Sequence, residues 1–448
     1  VIVQAPAGSG KTTLLVERYL KLLAVAEAPE EILAITFTIK AAAEMRTRVL
    51  NAMRNGDRAA LAALERSREL DWNLLEQPRR LKIQTIDSFA MSLARQLPLQ
   101  SGFNPNTRLV ESADDLYAEA ADRVLLRLYR NDPLTEEIAD FLKQCNNEQS
   151  RARRLLAEML SKRDQWLGVV SAVMKSYQEA RESVPQMLAS GSLALSEDVI
   201  RTFADATTQA EREALLSLTR FAATKLGTNH GDEPALYRFL GEILTTRTGS
   251  FRKQVTKREG FPAEDKAQKA ELMSLLEDLQ DRGLEAEIGN LRYLPQPPDD
   301  AALNNLINAC ICLTLAAVEL NSIFAQQQVS DFTELLLTAQ AALGDPQQPT
   351  DLALALDHRI SHLLIDEFQD TSVSQYRLFE QLLEGWTPGD GNTFFAVGDP
   401  MQSIYRFRDA DVGLFYRAAA LGFAGIQLEA VSLQSNFRSA PPLVDWCN

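Results

Sequence analysis

The N-terminal stretch VIVQAPAGSGKTTLL places a lysine and a hydroxyl group directly after a glycine-rich turn. Gly10, Lys11 and Thr12 fit the end of the phosphate-binding pattern GxxxxGK[ST], whereas Ala5 stands at its first glycine position. Backbone N–H groups of such a loop bind phosphate oxygens, Lys11 would reach the β- and γ-phosphates, and the Thr12 hydroxyl would bind Mg²⁺. The strand-like run before the loop and the helical pattern after it favour this interpretation over an ordinary glycine turn that caps a helix. The residues predicted to surround the phosphates are Ala7, Gly8, Ser9, Gly10, Lys11, Thr12 and Thr13.

A second stretch, HLLIDEFQDTS, ends an apolar run in two adjacent acids, Asp366 and Glu367. In an open α/β sheet, ligands bind at the carboxyl ends of the strands, so these acids would lie beside the glycine-rich loop if both strands share one sheet. Asp366 would then bind Mg²⁺, and Glu367 would be the general base that orients the attacking water. Taken alone, the two acids are equally compatible with a metal site and with a solvated strand end. Together with Lys11 they favour a site for a nucleoside triphosphate and Mg²⁺.

Six short apolar runs predict the buried strands that would position these residues, because they are rich in Val, Ile, Leu and Phe without alternation. Helical patterns such as Thr12–Leu23 and Lys40–Met53 follow most of them, which predicts a doubly wound α/β sheet. The predicted strands are Val1–Ala5, Ile32–Phe37, Leu81–Thr85, Leu363–Ile365, Thr393–Val397 and Ala430–Leu433.

The middle of the chain, residues 106–330, carries amphipathic helix patterns with no comparable strand signal. It predicts a large all-helical subdomain inserted into one α/β domain, of which residues 1–105 and 331–432 would be the two halves. Residues 433–448 would begin a further domain. The sequence opens without Met and already inside a predicted strand, so we interpret it as a fragment at its N-terminus.

Composition limits the classes of protein that the chain can represent. With 448 residues, 46% hydrophobic and 24% charged, it is typical of a soluble globular protein of two or three domains. The net charge of −15 gives no overall basic footprint for nucleic acid, although a local groove can still be basic. Four cysteines without a CxxC pair indicate a reducing, cytoplasmic setting without a structural metal. The longest apolar stretch, Ala309–Val318, is too short to span a bilayer, so no membrane association is predicted.

Seven stretches give the chain a recognisable resemblance, since they occur in one family's order across both ends of the sequence. By them the chain resembles superfamily 1 DNA helicases of the UvrD/RecB type. Its long insertion and GDPMQSIYRFR form resemble the RecB/AddA branch, which includes exonuclease V β-subunit-like chains. The resemblance implies a RecA-like P-loop domain, with residues 433–448 starting a second one. The stretches are APAGSGKT, ITFTIKAAAEMRTRV, IQTIDSFAMSLARQL, VSDFTELLL, LLIDEFQDTS, FFAVGDPMQSIYRFRDAD and LQSNFRS.

The resemblance also implies roles for residues near the second half of the site. Gln402 would sense the γ-phosphate through its amide, Arg438 would act as an arginine finger, and Phe437 would stack on the adenine. From chemistry alone Arg438 would be interpreted as a surface arginine. The set of residues with a predicted catalytic role is Lys11, Glu367, Gln402 and Arg438.

Single-stranded DNA is expected across the same edge of the domain. Aromatic residues would stack on bases and YRFR would interleave them with cations, although isolated aromatics more often pack in a core. Asp87, Ile39, Asp409 and Thr13 depart from residues common in the family, which concerns details of nucleotide and strand contact. The residues predicted to contact DNA are Thr36, Phe37, Thr85, Ser88, Tyr405, Arg406, Phe407 and Arg408.

The sequence therefore predicts an ATP-dependent DNA translocase motor, acting in DNA repair or recombination on single-stranded DNA and duplex junctions and belonging to a helicase–nuclease with a partner subunit. This chain alone is expected to bind nucleotide weakly and not to unwind DNA. The basic run 247–258 could touch duplex DNA, but a solvated loop is the preferred interpretation. Two alternatives stay open. The first is another P-loop enzyme, such as a kinase or a GTPase, although the sequence lacks the NKxD motif by which GTPases read guanine. The second is a non-translocating ATPase or DNA clamp of the same fold.

Overall fold

The chain divides into two compact units. Unit 1 comprises Val1–Arg127, Gln149–Gly168 and Leu315–Asn448, and unit 2 comprises Leu128–Glu148 and Val169–Thr314. The domain boundaries predicted at residues 106, 331 and 433 stay a prediction. The computed structural model describes residues 1–96, 107–130, 132–173, 177–228, 230–296, 298–345, 348–350, 352–353, 356, 359–403 and 410–435.

Unit 1 is organised around one six-stranded sheet with the strand order β6-β1-β5-β4-β2-β3. Every neighbouring pair is parallel, so the carboxyl ends of all six strands lie along one edge. All six predicted strands are present in this sheet, and the prediction of a parallel α/β fold is confirmed. The strands are β1 (Ile2–Gln4), β2 (Ile32–Thr36), β3 (Lys82–Thr85), β4 (His362–Ile365), β5 (Thr393–Gly398) and β6 (Ala430–Ser432).

Helices connect the strands and make up most of unit 2. Gly56, which follows α2, ends that helix in the left-handed region. The helices are α1 (Lys11–Leu23), α2 (Ile39–Asn55), α3 (Leu61–Glu69), α4 (Ile86–Gln96), α5 (Asp114–Leu126), α6 (Thr135–Gln144), α7 (Gln149–Ser161), α8 (Arg163–Val173), α9 (Tyr177–Ala206), α10 (Gln209–Leu226), α11 (Glu233–Leu244), α12 (Lys266–Asp281), α13 (Glu285–Leu291), α14 (Asp300–Gln327), α15 (Phe332–Leu343), α16 (Val373–Leu382) and α17 (Val412–Leu421).

Both faces of the sheet are covered, which explains why its strands are apolar without alternation. On one face Leu363 and Ile365 pack in a core with α4, α15 and α16. On the other face Ala34 and Leu364 pack in a core with α1 and α2. Burial on both faces fixes the strand register, so the loops after β1, β4 and β5 are held at the same edge.

Unit 2 is helical throughout most of its described residues. Helices α9 to α13 contribute to one core, in which Phe203, Leu240 and Phe261 are fully buried. The basic run 247–258 lies between α11 and α12, where Phe251 and Val255 are buried and its side chains at 247, 253, 257 and 258 are exposed. Whether these helices form a subdomain inserted into the α/β domain stays a prediction.

Short strands occur outside the main sheet. Arg108–Leu109 pairs with Val329–Ser330 in parallel, and Gly344–Asp345 pairs with Gln348–Pro349 in an antiparallel hairpin. The first pair joins residues near the two ends of the predicted helical segment. The second lies within the stretch GDPQQPT.

One described helix, α14, is long and apolar enough to cross a bilayer by length and composition. Half of its most apolar 18-residue window is buried in the protein, and a core helix passes the same test. The predicted lack of membrane association therefore stays a prediction.

A buried arginine fixes the start of α15, the helix of the VSDFTELLL stretch. Arg163 is 1% exposed, and its two terminal nitrogens donate to Asp331 at 2.6 and 2.9 Å and to Glu334 at 3.0 Å. Asp331 also accepts from the Tyr117 hydroxyl at 2.5 Å and from the Glu334 backbone N–H, which caps α15. Burial would raise the pKa of Asp331, but the charge and hydrogen bonds of Arg163 outweigh it and the pKa is lowered. The buried charges are thus paired and hydrogen-bonded, as buried ions must be.

His362, the first residue of β4, makes unfolding sensitive to pH. It is 7% exposed, its Nδ1 lies 2.9 Å from the Thr393 hydroxyl, and burial, then the nearby charge of Arg18, lowers its pKa. The unfolded chain therefore binds more protons than the folded chain below about pH 6.5. The free energy of unfolding then decreases as the pH falls, by no more than about 1.4 kcal/mol per pH unit for one proton. We expect a His362→Asn variant to gain stability relative to wild type between pH 7.5 and pH 5.5. Urea unfolding at both values measures this difference, and a constant difference would contradict it.

Candidate functional site

The loop after β1 presents the N-terminus of α1. Gly8 and Gly10 have φ angles of 80° and 89°, in the left-handed region that glycine adopts without strain. Gly10 caps α1 without a side-chain hydrogen bond, and the first turn holds no acid. The Ser9 hydroxyl is buried and has no hydrogen-bond partner among the described residues. A 13-residue helix that starts this way directs free N–H groups and a partial positive charge at the loop, which is the arrangement that binds phosphate.

Lys11 lies beside the acids of the second stretch. Its Nζ donates to Glu367 Oε2 at 2.9 Å and to Oε1 at 3.2 Å, and the two side chains are 12% and 34% exposed. Strand β5 separates β1 from β4 in the sheet, so the contact crosses the carboxyl ends of three strands. The structure thus brings together the lysine and the glutamate that the sequence assigns to one site.

Asp366 is the adjacent acid and is partly buried. Its Oδ1 accepts from the Glu367 backbone N–H at 3.0 Å, and its backbone N–H donates to the Ile35 carbonyl at 2.9 Å. Burial, then the charge of Glu367, raises the pKa of Asp366 to about 6. A carboxylate in this setting is stabilised by a cation, which would restore its ordinary ionisation.

The donor set fits Mg²⁺. Among the described residues no group of three His, Cys, Asp or Glu side chains could hold a metal ion by itself. Mg²⁺ does not need such a group, because it keeps several waters and binds through one or two protein oxygens plus substrate phosphates. Asp366, beside the loop, and Thr12, in the first turn of α1, supply one carboxylate and one hydroxyl. The ion would neutralise charge on the phosphates when bound.

Glu367 has an unusual backbone conformation. Its φ and ψ are 51° and 45°, in the left-handed region, which costs a non-glycine residue about 1–2 kcal/mol. Lys11 and Gln369 both donate to its carboxylate. One third of the side chain is exposed, so Glu367 is anchored and also accessible to solvent.

The turn after β5 carries Gln402 to the same edge. Asp399, which is 4% exposed, accepts from the Met401 backbone N–H at 3.1 Å and from the Gln402 side-chain amide. Since β5 lies between β1 and β4, this turn lies between the glycine-rich loop and the acids. Gln402 is therefore placed at the site, with its amide bonded to Asp399.

Two further residues of the site, Gln369 and the third acid of the DEFQD stretch, Asp370, received no role in the sequence analysis. Gln369 is 1% exposed and hydrogen-bonds Glu367, Asp370 and the Asp399 backbone, and Asp370 accepts from the Ser403 hydroxyl at 2.9 Å. Burial raises the pKa of Asp370. The available signal was an amide enclosed by acids in DEFQD, since a buried carboxylate needs a donor.

Of the eight residues predicted to contact DNA, four lie among the described residues and four do not. Thr36 and Thr85 end β2 and β3 and are buried. The Thr36 hydroxyl donates to the Thr38 carbonyl, and the Thr85 hydroxyl lies 2.9 Å from that of Ser88. Ser88 is exposed and Phe37 is half-buried. Tyr405, Arg406, Phe407, Arg408, Phe437 and Arg438 lie outside the described residues, so their assigned roles stay predictions.

Comparison with known proteins agrees with the predicted resemblance. Residues 1–420 match the family described as the UvrD/REP helicase N-terminal domain. A protein of Exiguobacterium sibiricum that is named as an ATP-dependent helicase/nuclease subunit is 27% identical over 472 residues, which cover 100% of this chain and 38% of that protein. Its namesake in Desulfitobacterium hafniense is 29% identical over 502 residues, covering 100% and 34%. The chain thus spans less than two fifths of the length of these relatives.

Proposed function

The chain belongs to the UvrD/REP helicase family, and from this premise we propose that it forms the ATP-hydrolysing part of a motor that moves along single-stranded DNA. The observation that carries the proposal is the contact of Lys11 with Glu367 at the carboxyl edge of a parallel sheet, beside an uncapped helix N-terminus. Ligands of open α/β sheets bind at this edge. A triphosphate needs both the backbone N–H donors and the positively charged lysine found there.

Each residue of the site has its own role in ATP hydrolysis. The loop N–H groups and Lys11 bind the phosphates, and Lys11 exchanges Glu367 for a phosphate oxygen as ATP enters. Glu367 then accepts a proton from the water whose oxygen bonds to the γ-phosphorus, while the bond from that phosphorus to the bridging oxygen breaks and ADP leaves. Gln402 contacts the terminal phosphate. Thr12 and Asp366 would hold Mg²⁺. Arg438 would stabilise the transferring phosphoryl group, and Phe437 would stack on the base.

Single-stranded DNA is proposed to lie across the loops after β2 and β3, which lie beyond β4 on the side away from the glycine-rich loop. Thr36, Thr85 and Ser88 would contact phosphates near the ends of these strands. Phe37 would stack on a base, as would the aromatic residues Tyr405 and Phe407, with Arg406 and Arg408 close to the strand.

The names of the relatives support a proposal for the setting of the motor. They are named helicase/nuclease subunits, and we propose that this chain works in such an assembly, with a partner subunit, in cytoplasmic DNA repair or recombination. Its DNA substrate would include a junction with duplex.

ATP hydrolysis by the complete gene product, with and without single-stranded DNA, tests the proposal. We expect DNA to stimulate turnover and strand displacement to depend on ATP. ATP binding without turnover would favour a clamp of the same fold, and turnover that does not respond to DNA would favour another class of P-loop enzyme.

Replacing Phe37 by alanine is expected to weaken binding of oligo(dT) by roughly tenfold, because stacking on one base contributes about 1–3 kcal/mol. Tyr416→Ala is the matched control, since Tyr416 is also in unit 1, is 53% exposed and lies on α17. Fluorescence anisotropy of a labelled oligonucleotide measures both variants. Equal affinities for wild type and Phe37→Ala would remove Phe37 from the proposed DNA path.

A further inference from the structure

Gln369 connects the two turns that carry the reacting groups of the proposed site. Its Nε2 donates to Glu367 Oε2 at 2.9 Å and to Asp370 Oδ2 at 3.1 Å, and its Oε1 accepts from the Asp399 backbone N–H at 2.8 Å. Both amide hydrogens and the carbonyl oxygen are therefore in use. The reverse orientation of the amide would set its oxygen against two carboxylates and its NH₂ against an N–H group, so the surroundings determine the orientation.

Packing also determines where Gln369 lies. The side chain is 1% exposed. A Cβ atom added at Gly398, the last residue of β5, would stand 2.5 Å from Gln369 Oε1 and 3.0 Å from the Phe415 ring. Only glycine allows the end of β5 to approach Gln369 this closely. The amide is thus held both by its hydrogen bonds and by the strand beside it.

The hydrogen bond from Gln369 to Glu367 becomes more important when a triphosphate binds. In the structure its Oε2 accepts from Lys11 and from Gln369, at 2.9 Å in each case. Lys11 would turn to a phosphate oxygen, and the other side-chain donor that the structure gives Glu367 is Gln369. A carboxylate that orients water must keep its position at that moment, since misplacement by about 1 Å can cost roughly a hundredfold in rate.

A second set of hydrogen bonds connects Gln369 with Gln402. The Asp399 backbone is bonded to Gln369, and the Asp399 carboxylate accepts from the Gln402 amide. Asp370, the other acceptor of Gln369, accepts from Ser403, which follows Gln402 in sequence. One buried amide thus lies between the group assigned to the water and the group assigned to the terminal phosphate.

We propose that Gln369 is a positioning residue for hydrolysis, which holds the Glu367 carboxylate in register with Gln402 after Lys11 has moved to the phosphates. This inference rests on the proposed function, because it acts through the base and the phosphate contact assigned there. Gln369 is 1% exposed and bonds the Glu367 carboxylate and the Asp399 backbone. It acts through Glu367 and the Asp399 turn.

Gln369→Met keeps the length of the side chain and removes its donors and acceptor. In the complete gene product with saturating DNA, we expect kcat to fall about 10- to 100-fold while KM for ATP changes less than about threefold. Gln381→Leu is the matched control. Gln381 lies on α16 and donates to the Gly344 carbonyl at 3.2 Å, so it also loses a hydrogen bond, but away from the site, and kcat should stay within about twofold.

A double-mutant cycle separates positioning from a structural role. In a Glu367→Gln background, single-turnover hydrolysis should fall less than about twofold further on adding Gln369→Met, because the group that Gln369 positions has gone. A full additional loss would show that Gln369 does not act through Glu367 and would overturn the proposed positioning role. If Gln369→Met does not fold, Gln369→Asn decides, since it keeps the amide one methylene short of its acceptors and should lower kcat in the same way.

The two proposals fail in different ways. A wild-type protein that does not hydrolyse ATP would overturn the proposed function. Wild-type hydrolysis accompanied by unchanged kcat in folded Gln369 variants would overturn the positioning role alone.

Discussion

Replacing Lys11 by alanine is expected to weaken ATP binding by about 30- to 150-fold. Hydrogen bonds to charged groups contribute about 1.5–3 kcal/mol, and about 2–3 kcal/mol corresponds to this range of affinity. Lys11 is the cation that the described residues place against Glu367, near the acids Asp366 and Asp370. Without it, the phosphates would meet uncompensated negative charge. Titration of the 448-residue chain with a fluorescent ATP analogue and Mg²⁺ measures the change.

The matched control for this variant is Lys21→Ala. Lys21 lies in the last turn of the same helix, α1, and is exposed, so it tests the loss of one positive charge without the loss of the site. Its affinity for the analogue should remain within about twofold of wild type. If Lys11→Ala bound as tightly as Lys21→Ala, the glycine-rich loop would not be the phosphate site.

Replacing Glu367 by glutamine is expected to lower the rate of ATP hydrolysis by about 10²- to 10⁴-fold, the range that a general base contributes. The amide retains the size of the side chain but cannot accept the proton of the attacking water. ATP binding should persist or tighten, because Lys11 loses the carboxylate that it contacts in the structure. Single-turnover hydrolysis and nucleotide affinity, measured on the complete gene product, separate the two effects.

Glu384→Gln provides the control, because Glu384 is an exposed glutamate of unit 1 just after α16. It should hydrolyse ATP at the wild-type rate. The account of Glu367 as the base would be wrong if its variant lost binding and turnover together, or if it kept more than about a tenth of the wild-type rate.

The sheet could be predicted from the sequence because its strands are buried on both faces. Runs such as His362–Ile365 and Thr393–Gly398 are apolar at nearly every position, and the turns after them are marked by glycine, acids or proline. Strand ends differ from the prediction by at most one residue, as at Leu81 and Phe37, which lie just outside β3 and β2. The position of Lys11 against Glu367 follows once all strands run parallel in one sheet.

The connections between side chains could not be predicted in this way. The contact of Gln369 with Asp399 joins turns that are far apart in sequence, and it depends on how closely Gly398 approaches. The left-handed backbone of Glu367 is likewise set by its surroundings, since glutamate does not favour it. Arg163 reads as a surface charge in an amphipathic pattern, yet it is fully buried because Asp331 and Glu334 meet it from another helix.

The most direct test of the site is the structure of the chain with Mn²⁺ and a non-hydrolysable ATP analogue. We predict that the terminal phosphate lies between Lys11 and the Glu367 side chain, with the anomalous signal of Mn²⁺ next to Thr12 and Asp366. An analogue bound elsewhere, with the ion pair of Lys11 and Glu367 undisturbed, would contradict the account.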